Sequence, residues 1–246
     1  MRITLLKESY KGVDGSSLTE TRRSQIVQVY EMLEEWGSNL TNYLDIQIKA
    51  QKKHLFGNTN AKSAIRTFFP LLKKIAFVNY DGDFPANKCF TSLGAQFVLA
   101  SRAYENVEDD TPNNDKILEK LDSIIKKCQK QGLINMRLNP LYKNHNMWIA
   151  IKLFKEFGIV HWNEFLYTLH CLEIGETEEY AYNKIRDDRK KIDDIIFLNE
   201  KGENLPDTCY SYIRSYLVEA GLITKITNME YRVLDSFDNF VSKLNI

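Results

Sequence analysis

Tyr212-Ile213-Arg214-Ser215-Tyr216, then Gly221-Leu222-Ile223, then Tyr231-Arg232-Val233-Leu234 is the stretch whose reading decides the fold. Ile213, Tyr216, Leu217 and Ala220 recur at three- and four-residue steps, the period of one buried helix face. Leu222–Ile226 and Glu230–Leu234, on either side of the Thr227-Asn228 turn, read as the two strands of a hairpin. A helix running straight into a two-stranded hairpin, with helices before it, is the plan of a winged helix. In that plan the helix enters the major groove of DNA and the hairpin touches the backbone nearby.

The same order occurs earlier in the chain. Ile65-Arg66-Thr67-Phe68 parallels Ile213-Arg214-Ser215-Tyr216, and Phe77-Val78 parallels Leu222-Ile223. After the turn-rich loop Asp81–Lys88, Phe90-Thr91 parallels Tyr231–Leu234, so the first copy has about one extra helical turn and a longer loop. The repeat predicts a mainly α fold with small β-hairpins (α+β) built on two winged-helix (helix-turn-helix) subdomains. We expect a helical and winged-helix subdomain over 1–110, a basic helical connector over 111–145, and a second winged-helix subdomain over 146–246. The acidic stretch Glu105–Asp115, containing Thr111-Pro112-Asn113-Asn114, reads as a linker or surface loop.

Working outward, residues 19–56 read as helical, with Ile26, Val29, Tyr30, Leu33 and Trp36 in one stripe, a stop at Gly37 and a second helix over Leu40–His54. The helix after the cap-rich Gly57-Asn58-Thr59-Asn60 runs to about Lys74 and is expected to kink at Pro70, or to restart there. Phe77–Tyr80 and Cys89–Thr91 are read as strands, Leu93–Arg102 and Asp115–Gln131 as helices, and Leu133–Lys143 as irregular or short-stranded. Met147–Phe157, Trp162–Cys171, Glu176–Ile192 and Pro206–Ala220 complete the expected helices, with a short strand at Gly158-Ile159-Val160.

The 246 residues carry 33 basic and 33 acidic side chains, so the formal net charge is zero. With 43% apolar and 12% aromatic residues the chain can bury a core, which excludes general disorder. No run approaches the roughly 18 apolar residues of a membrane span. The charged start Met1–Glu8 leaves no room for a signal-peptide core, and a soluble cytoplasmic protein without membrane partners is expected. Cys89, Cys128, Cys171 and Cys209 lie far apart and read as free, mostly buried thiols.

Charge is nevertheless segregated. Between Asp45 and Asp81 there is no acid, while Lys49, Lys52, Lys53, Lys62, Arg66, Lys73 and Lys74 all fall there. Ser123–Lys155 likewise holds only basic charges, and acids gather at Glu105–Asp122 and Glu164–Glu179. Such segregation is the electrostatic footprint of nucleic-acid binding, or else of solvated helix faces whose acids are neighbours in space.

On the two expected groove helices, the sides away from the apolar stripes offer Asn58, Thr59, Asn60, Lys62, Ser63, Arg66 and Thr67 in the first copy. The second copy offers Asp207, Thr208, Tyr210, Ser211, Arg214 and Ser215. Arginine presents a two-pronged donor to guanine, asparagine suits adenine, and hydroxyls suit phosphates or either base edge. The wings add Lys88, Asn228 and Arg232 as backbone contacts. The ordinary alternatives are helix caps at Asn58, Thr59 and Asp207, and carboxylate partners for Arg66 and Arg214. Lys184–Lys191, with five basic residues and two acids, reads as a solvated helix face or as a phosphate anchor.

No catalytic constellation emerges. A metal-dependent nuclease of the restriction class sets an acid-x-Lys triplet on a strand; only Asp188-Arg189-Lys190 has that spacing, in a helical run. Neither a phosphate-binding Gly-rich loop nor a nucleophile elbow occurs, and the four histidines are scattered.

Phe68–Val78, Phe90-Thr91-Ser92-Leu93-Gly94, the charged middle helices and the closing Tyr212–Leu234 pattern together resemble the DNA-recognition region of type IIS restriction endonucleases, over about Asn58 to Phe240. The resemblance implies tandem winged helices wrapping a short asymmetric duplex, with double-stranded DNA as partner. Such enzymes also carry a cleavage domain, for which no site is seen here. The resemblance therefore implies a recognition domain or subunit whose nuclease is supplied elsewhere, with no cofactor in this chain and Mg²⁺ needed only by that nuclease. Three alternatives stand beside it: a transcriptional or replication regulator with tandem winged helices, a protein-interaction scaffold, and a complete nuclease whose site the sequence does not reveal.

Overall fold

The computed structural model describes residues 1–10, 17–108, 113–205 and 208–246, without the side chains of residues 8, 9, 208 and 209. In order it contains β1 (Arg2–Thr4), α1 (Lys7–Tyr10), α2 (Glu20–Trp36), β2 (Leu40–Thr41), α3 (Tyr43–Lys52) and α4 (Ala61–Lys74). Then follow β3 (Phe84–Pro85), α5 (Ser92–Glu105), α6 (Asn114–Leu138), α7 (Asn146–Phe157), β4 (Ile159–His161) and α8 (Trp162–Glu173). The series ends with α9 (Glu178–Asp193), β5 (Ile196–Leu198), α10 (Thr208–Glu219), β6 (Ile223–Lys225), β7 (Glu230–Val233) and α11 (Phe237–Val241). The fold is thus mainly helical with small strands. Among the described residues no helix is long and apolar enough to cross a membrane.

The chain divides into two compact units, Asp14–Lys143 and Met1–Val13 with Asn144–Ile246. In the first, α2 packs on α3 and α5, and α5 on α6. Of the inner faces read from the sequence, Ile26, Val29 and Leu33 on α2 and Ile65, Phe68, Phe69 and Leu72 on α4 are buried, while Tyr30 and Trp36 of the α2 stripe are half-buried. Pro70 does not end α4, which stays continuous to Lys74. The expected helix over Leu40–His54 starts later, because Leu40–Thr41 pairs antiparallel with Phe84–Pro85 and Asn42 caps α3 by accepting from the Leu44 and Asp45 N–H groups. The irregular segment expected at Leu133–Lys143 is instead mostly helix, since α6 continues to Leu138. Gly132 lies inside it, where a Cβ would lie 3.0 Å from the Ile75 side chain, so the missing side chain serves packing. The linker expected around Thr111-Pro112 lies outside the described residues.

In the second unit, β4, β7 and β6 form an antiparallel sheet in that order, with Ile159 opposite Arg232 and Thr224 opposite Arg232 on its other side. A separate parallel pair, β1 with β5, joins Arg2–Thr4 to Ile196–Leu198. The core gathers Trp162, Phe154, Phe165, Tyr216 and Phe237, all essentially without solvent exposure.

The two units share a helix exit. Phe77 N–H donates to the Leu72 carbonyl and Ala76 N–H to Lys73, just as Leu222 N–H donates to Leu217 and Gly221 N–H to Val218. This is the double bond pattern of a Schellman end, with Ala76 (φ 58°) and Gly221 (φ 63°) in the left-handed conformation it requires. The returning chain then docks alike: Thr91 N–H donates to the Phe77 carbonyl, and Leu234 N–H to that of Leu222. The shared register corrects the sequence alignment: Arg66 lies six residues before its exit acceptor Leu72, and Arg214 three before Leu217. They are not equivalent positions. The hairpin expected at Phe77–Thr91 is corrected too, for it shrinks to one bridge, Val78 with Phe90, while Phe84–Pro85 turns to pair with β2.

Because left-handed backbone costs a residue with a Cβ roughly 1 kcal/mol, Ala76→Gly should stabilise the chain by about 0.5–1 kcal/mol and Gly221→Ala should destabilise it by about 1 kcal/mol. Urea midpoints of the two variants check this pair.

Candidate functional site

On α4 the burial of Ile65, Phe68, Phe69 and Leu72 leaves the opposite side in solvent. Asn60 is spent as the helix cap, its side chain accepting from the Ser63 N–H at 2.9 Å, and Asn58 and Thr59 are exposed in the turn before it. Ser63, Arg66 and Thr67 stand at three- and four-residue steps on one face; Ser63 and Arg66 are exposed, and the half-buried Thr67 donates its hydroxyl to the Ser63 carbonyl. Lys62 is half-buried beside them. Arg66 has no carboxylate within ion-pair distance among the described residues; burial raises the pKa of the nearby Tyr43 phenol, and the Arg66 charge opposes that rise in part.

Behind that face sits an aromatic stack. Tyr43 and Tyr80 lie 4.5 Å apart between centroids and nearly parallel, with Phe69 5.8 Å from each. Burial above all pushes the Tyr80 phenol up to about 12, so it remains a neutral hydrogen-bonding group. Lys73 pairs with Asp81 over the Tyr80 ring, and Lys74 lies 5.7 Å over Tyr142. Lys88, exposed at the end of a 3₁₀ turn over Ala86–Lys88, stands on a loop rather than on a projecting hairpin.

In the other unit the arrangement differs from expectation. Tyr210 does not face outward: only 8% exposed, it stacks on Trp162 at 5.6 Å and an interplanar angle of 14°. Its hydroxyl reaches the Met229 sulfur at 3.7 Å. Arg214 has no carboxylate partner among the described residues, but its Nη1 donates to the Asn228 carbonyl at 3.2 Å, and its guanidinium lies over the Tyr210 and Tyr231 rings. It braces the turn between β6 and β7. Ser211 and Ser215 are half-exposed on α10, and Arg232 is exposed on β7. The side chain of Thr208 lies outside the described residues, as does Asp207. Arg66 and Arg214 belong to different units.

The basic run Lys184–Lys191 is largely neutralised. Arg186 pairs with Glu156 and Glu179, Arg189 with Glu164, and Lys184 lies over the Tyr180 ring. Asp188 leaves the helical conformation (φ −151°, ψ 60°) inside this run. Cys89, Cys128 and Cys171 are free and buried, and burial raises the pKa of each thiol. No three His, Cys, Asp or Glu side chains among the described residues are placed to hold a metal ion.

One polar cluster went unread in the sequence. His161 caps α8 while the Glu164 carboxylate accepts from the His161 N–H at 3.0 Å, a capping box whose three-residue spacing was the available signal. Glu164 has no exposed side-chain surface, and Arg189 neutralises it. In comparisons with known proteins the chain matches no protein-family model, no curated protein and no solved structure.

Since Tyr210 fills core space, Tyr210→Ala should cost about 3–5 kcal/mol, the range of large aromatic truncations. Ser211→Ala, one residue on, should stay within about 0.5 kcal/mol. Chemical denaturation of both variants distinguishes a core residue from a surface one.

Proposed function

We propose that the chain binds double-stranded DNA sequence-specifically, with the solvent face of α4 as the reading surface and the β6–β7 hairpin as a backbone contact. The observation that carries this reading is the exposed pair Ser63 and Arg66 on one helix face, with the half-buried Thr67 beside them and an arginine that no carboxylate among the described residues neutralises. An arginine held that way offers parallel donors to guanine O6 and N7, and hydroxyls beside it suit phosphate or base edges. The order of elements supports a winged-helix reading of both units. Each runs helix, short strand, helix, and later a helix whose exit leads to a return segment pairing with that first strand: β3 on β2, and β7 on β4. Lys88 and Arg232, on the two return segments, are then the phosphate contacts. We further propose, on the resemblance to type IIS recognition regions, that this is a recognition component whose cleavage is supplied by another domain or subunit.

The two arginines separate the roles. Arg66→Ala should lose roughly 1–3 kcal/mol of affinity and relax preference at one base pair, whereas Arg214→Ala, through a loosened hairpin, should weaken all sequences alike. Selection of bound duplexes from a random pool, followed by titrations at two salt concentrations, measures both. Affinity must fall steeply with salt, because each neutralised phosphate releases counterion. Binding that is absent or insensitive to salt overturns the reading.

A further inference from the structure

α5 packs against α2 and against α6, and between α5 and α6 a groove of about 510 Å³ is left open. Along α5 it runs over Ser92, Ala95, Leu99 and Ala103, one helix face followed for roughly 16 Å. Leu121 and Ile124 of α6 form the other wall. No charged side chain lines it among the described residues. Its one amide, Gln96, already accepts from the Cys128 thiol at 3.7 Å. Leu99 is 52% exposed there, whereas Phe97 and Val98 on the same helix are fully buried.

The charges beside the groove are of one sign. At about 100° per residue, Lys120 and Lys127 stand about 70° and 90° from the direction of Leu121 and Ile124, toward solvent. Both are exposed, and neither has a carboxylate partner among the described residues. Asp115, Glu119 and Asp122 stand about 130° or more away, round the far side of α6, and Asp122 pairs with Lys126. On the α5 side the flanking cation, Arg102, is paired with Glu31 at 3.3 Å.

The geometry points to a docking groove for an acidic amphipathic helix of a partner protein, about three turns long. Its apolar face lies on Leu99, Leu121 and Ile124, and its carboxylates reach Lys120 and Lys127. The small side chains of Ala95 and Ala103 let its axis approach α5 to within about 8–10 Å. A helix satisfies its own backbone, which matters because the walls are two helices and offer no strand edge to an extended peptide. The groove contains no residue of α4, β6 or β7, so it stands or falls apart from the DNA reading.

Panning the intact chain against a displayed library of helical peptides, about sixteen residues long, tests the groove. One face of each peptide carries Ala, Leu, Ile or Phe, and the flanking positions vary between Glu and Lys. Enriched sequences should carry Glu on a flank. Their affinity should fall at least about tenfold for Leu99→Asp and for the double variant Lys120→Glu/Lys127→Glu, and the double variant should gain binding to the Lys-flanked counterparts. Enrichment of Lys flanks, or peptides that bind wild type and both variants equally, overturns the proposal. So does a failure to enrich any peptide. Sedimentation that shows a wild-type dimer, made monomeric by Leu99→Asp, overturns it in favour of a second copy of the chain. All three substitutions alter exposed side chains; should Leu99→Asp fail to fold, the lysine variant alone decides by the same criteria.

Discussion

Two consecutive carbonyl oxygens at the exit of a helix organise each unit. At the end of α4 the Ala76 carbonyl takes the Thr91 hydroxyl at 2.8 Å and the Phe77 carbonyl takes the Thr91 N–H. At the end of α10 the Gly221 carbonyl takes the Ser236 hydroxyl at 2.9 Å and the Leu222 carbonyl takes the Leu234 N–H. A carbonyl turned inward needs a donor, and here the donor comes from the returning segment in both cases. The left-handed residue makes the turn, the two carbonyls hold the return, and the helix is thereby pinned with one stripe on the core and the other in solvent. Close packing follows from the same lock. α5 begins directly beneath it, and a Cβ on Gly94 would lie 2.0 Å from the Phe77 carbonyl oxygen, so only glycine fits.

From a shared lock the units diverge in what they leave exposed. α4 presents Ser63 and an Arg66 that no carboxylate among the described residues neutralises, while its return segment lies down on β2. α10 turns its arginine into a strut for the turn between β6 and β7, which pair antiparallel in the β4–β7–β6 sheet. One unit therefore offers a helix face and the other a ribbon. Under the proposed reading, that division assigns base edges to the first and phosphates to the second, and it follows from where each arginine stands relative to its helix exit.

Inner helix faces were legible because their period is local: Ile65, Phe68, Phe69 and Leu72 are as buried as the spacing requires. Tyr210 was legible too and was misassigned, for it stands three residues before Ile213 and seven before Leu217, on the buried stripe itself. The β1–β5 pair was not legible, since it joins three-residue segments almost the whole chain apart and each is too short to show an alternating pattern. The continuation of α6 past Gln131 was not legible, because the role of Gly132 inside it, room for Ile75 and Phe77, is visible only in the packing. Of the candidate site, the α4 face was read from the sequence, whereas the fate of Arg214 depended on a carbonyl fourteen residues away in a turn.

Under the proposed reading, a neutral chain meets a polyanion through the cations its own acids fail to reach. Arg186 and Arg189 sit in the densest basic run and are tied to Glu156, Glu179 and Glu164. In the acid-free stretch before Asp81, Lys53 and Lys73 have carboxylate partners, and Lys49 lies 3.6 Å over the Trp36 ring. Lys52, Lys62 and Arg66 have no carboxylate partner among the described residues. Exposed charges interact over about 10 Å at 0.1 M salt, so acids farther off than that act on this face only weakly. Density of basic residues in the sequence is therefore a poor guide to which cations stay unpaired after folding: Arg186 and Arg189 on α9 have carboxylate partners, whereas Lys62 and Arg66 on α4 have none among the described residues.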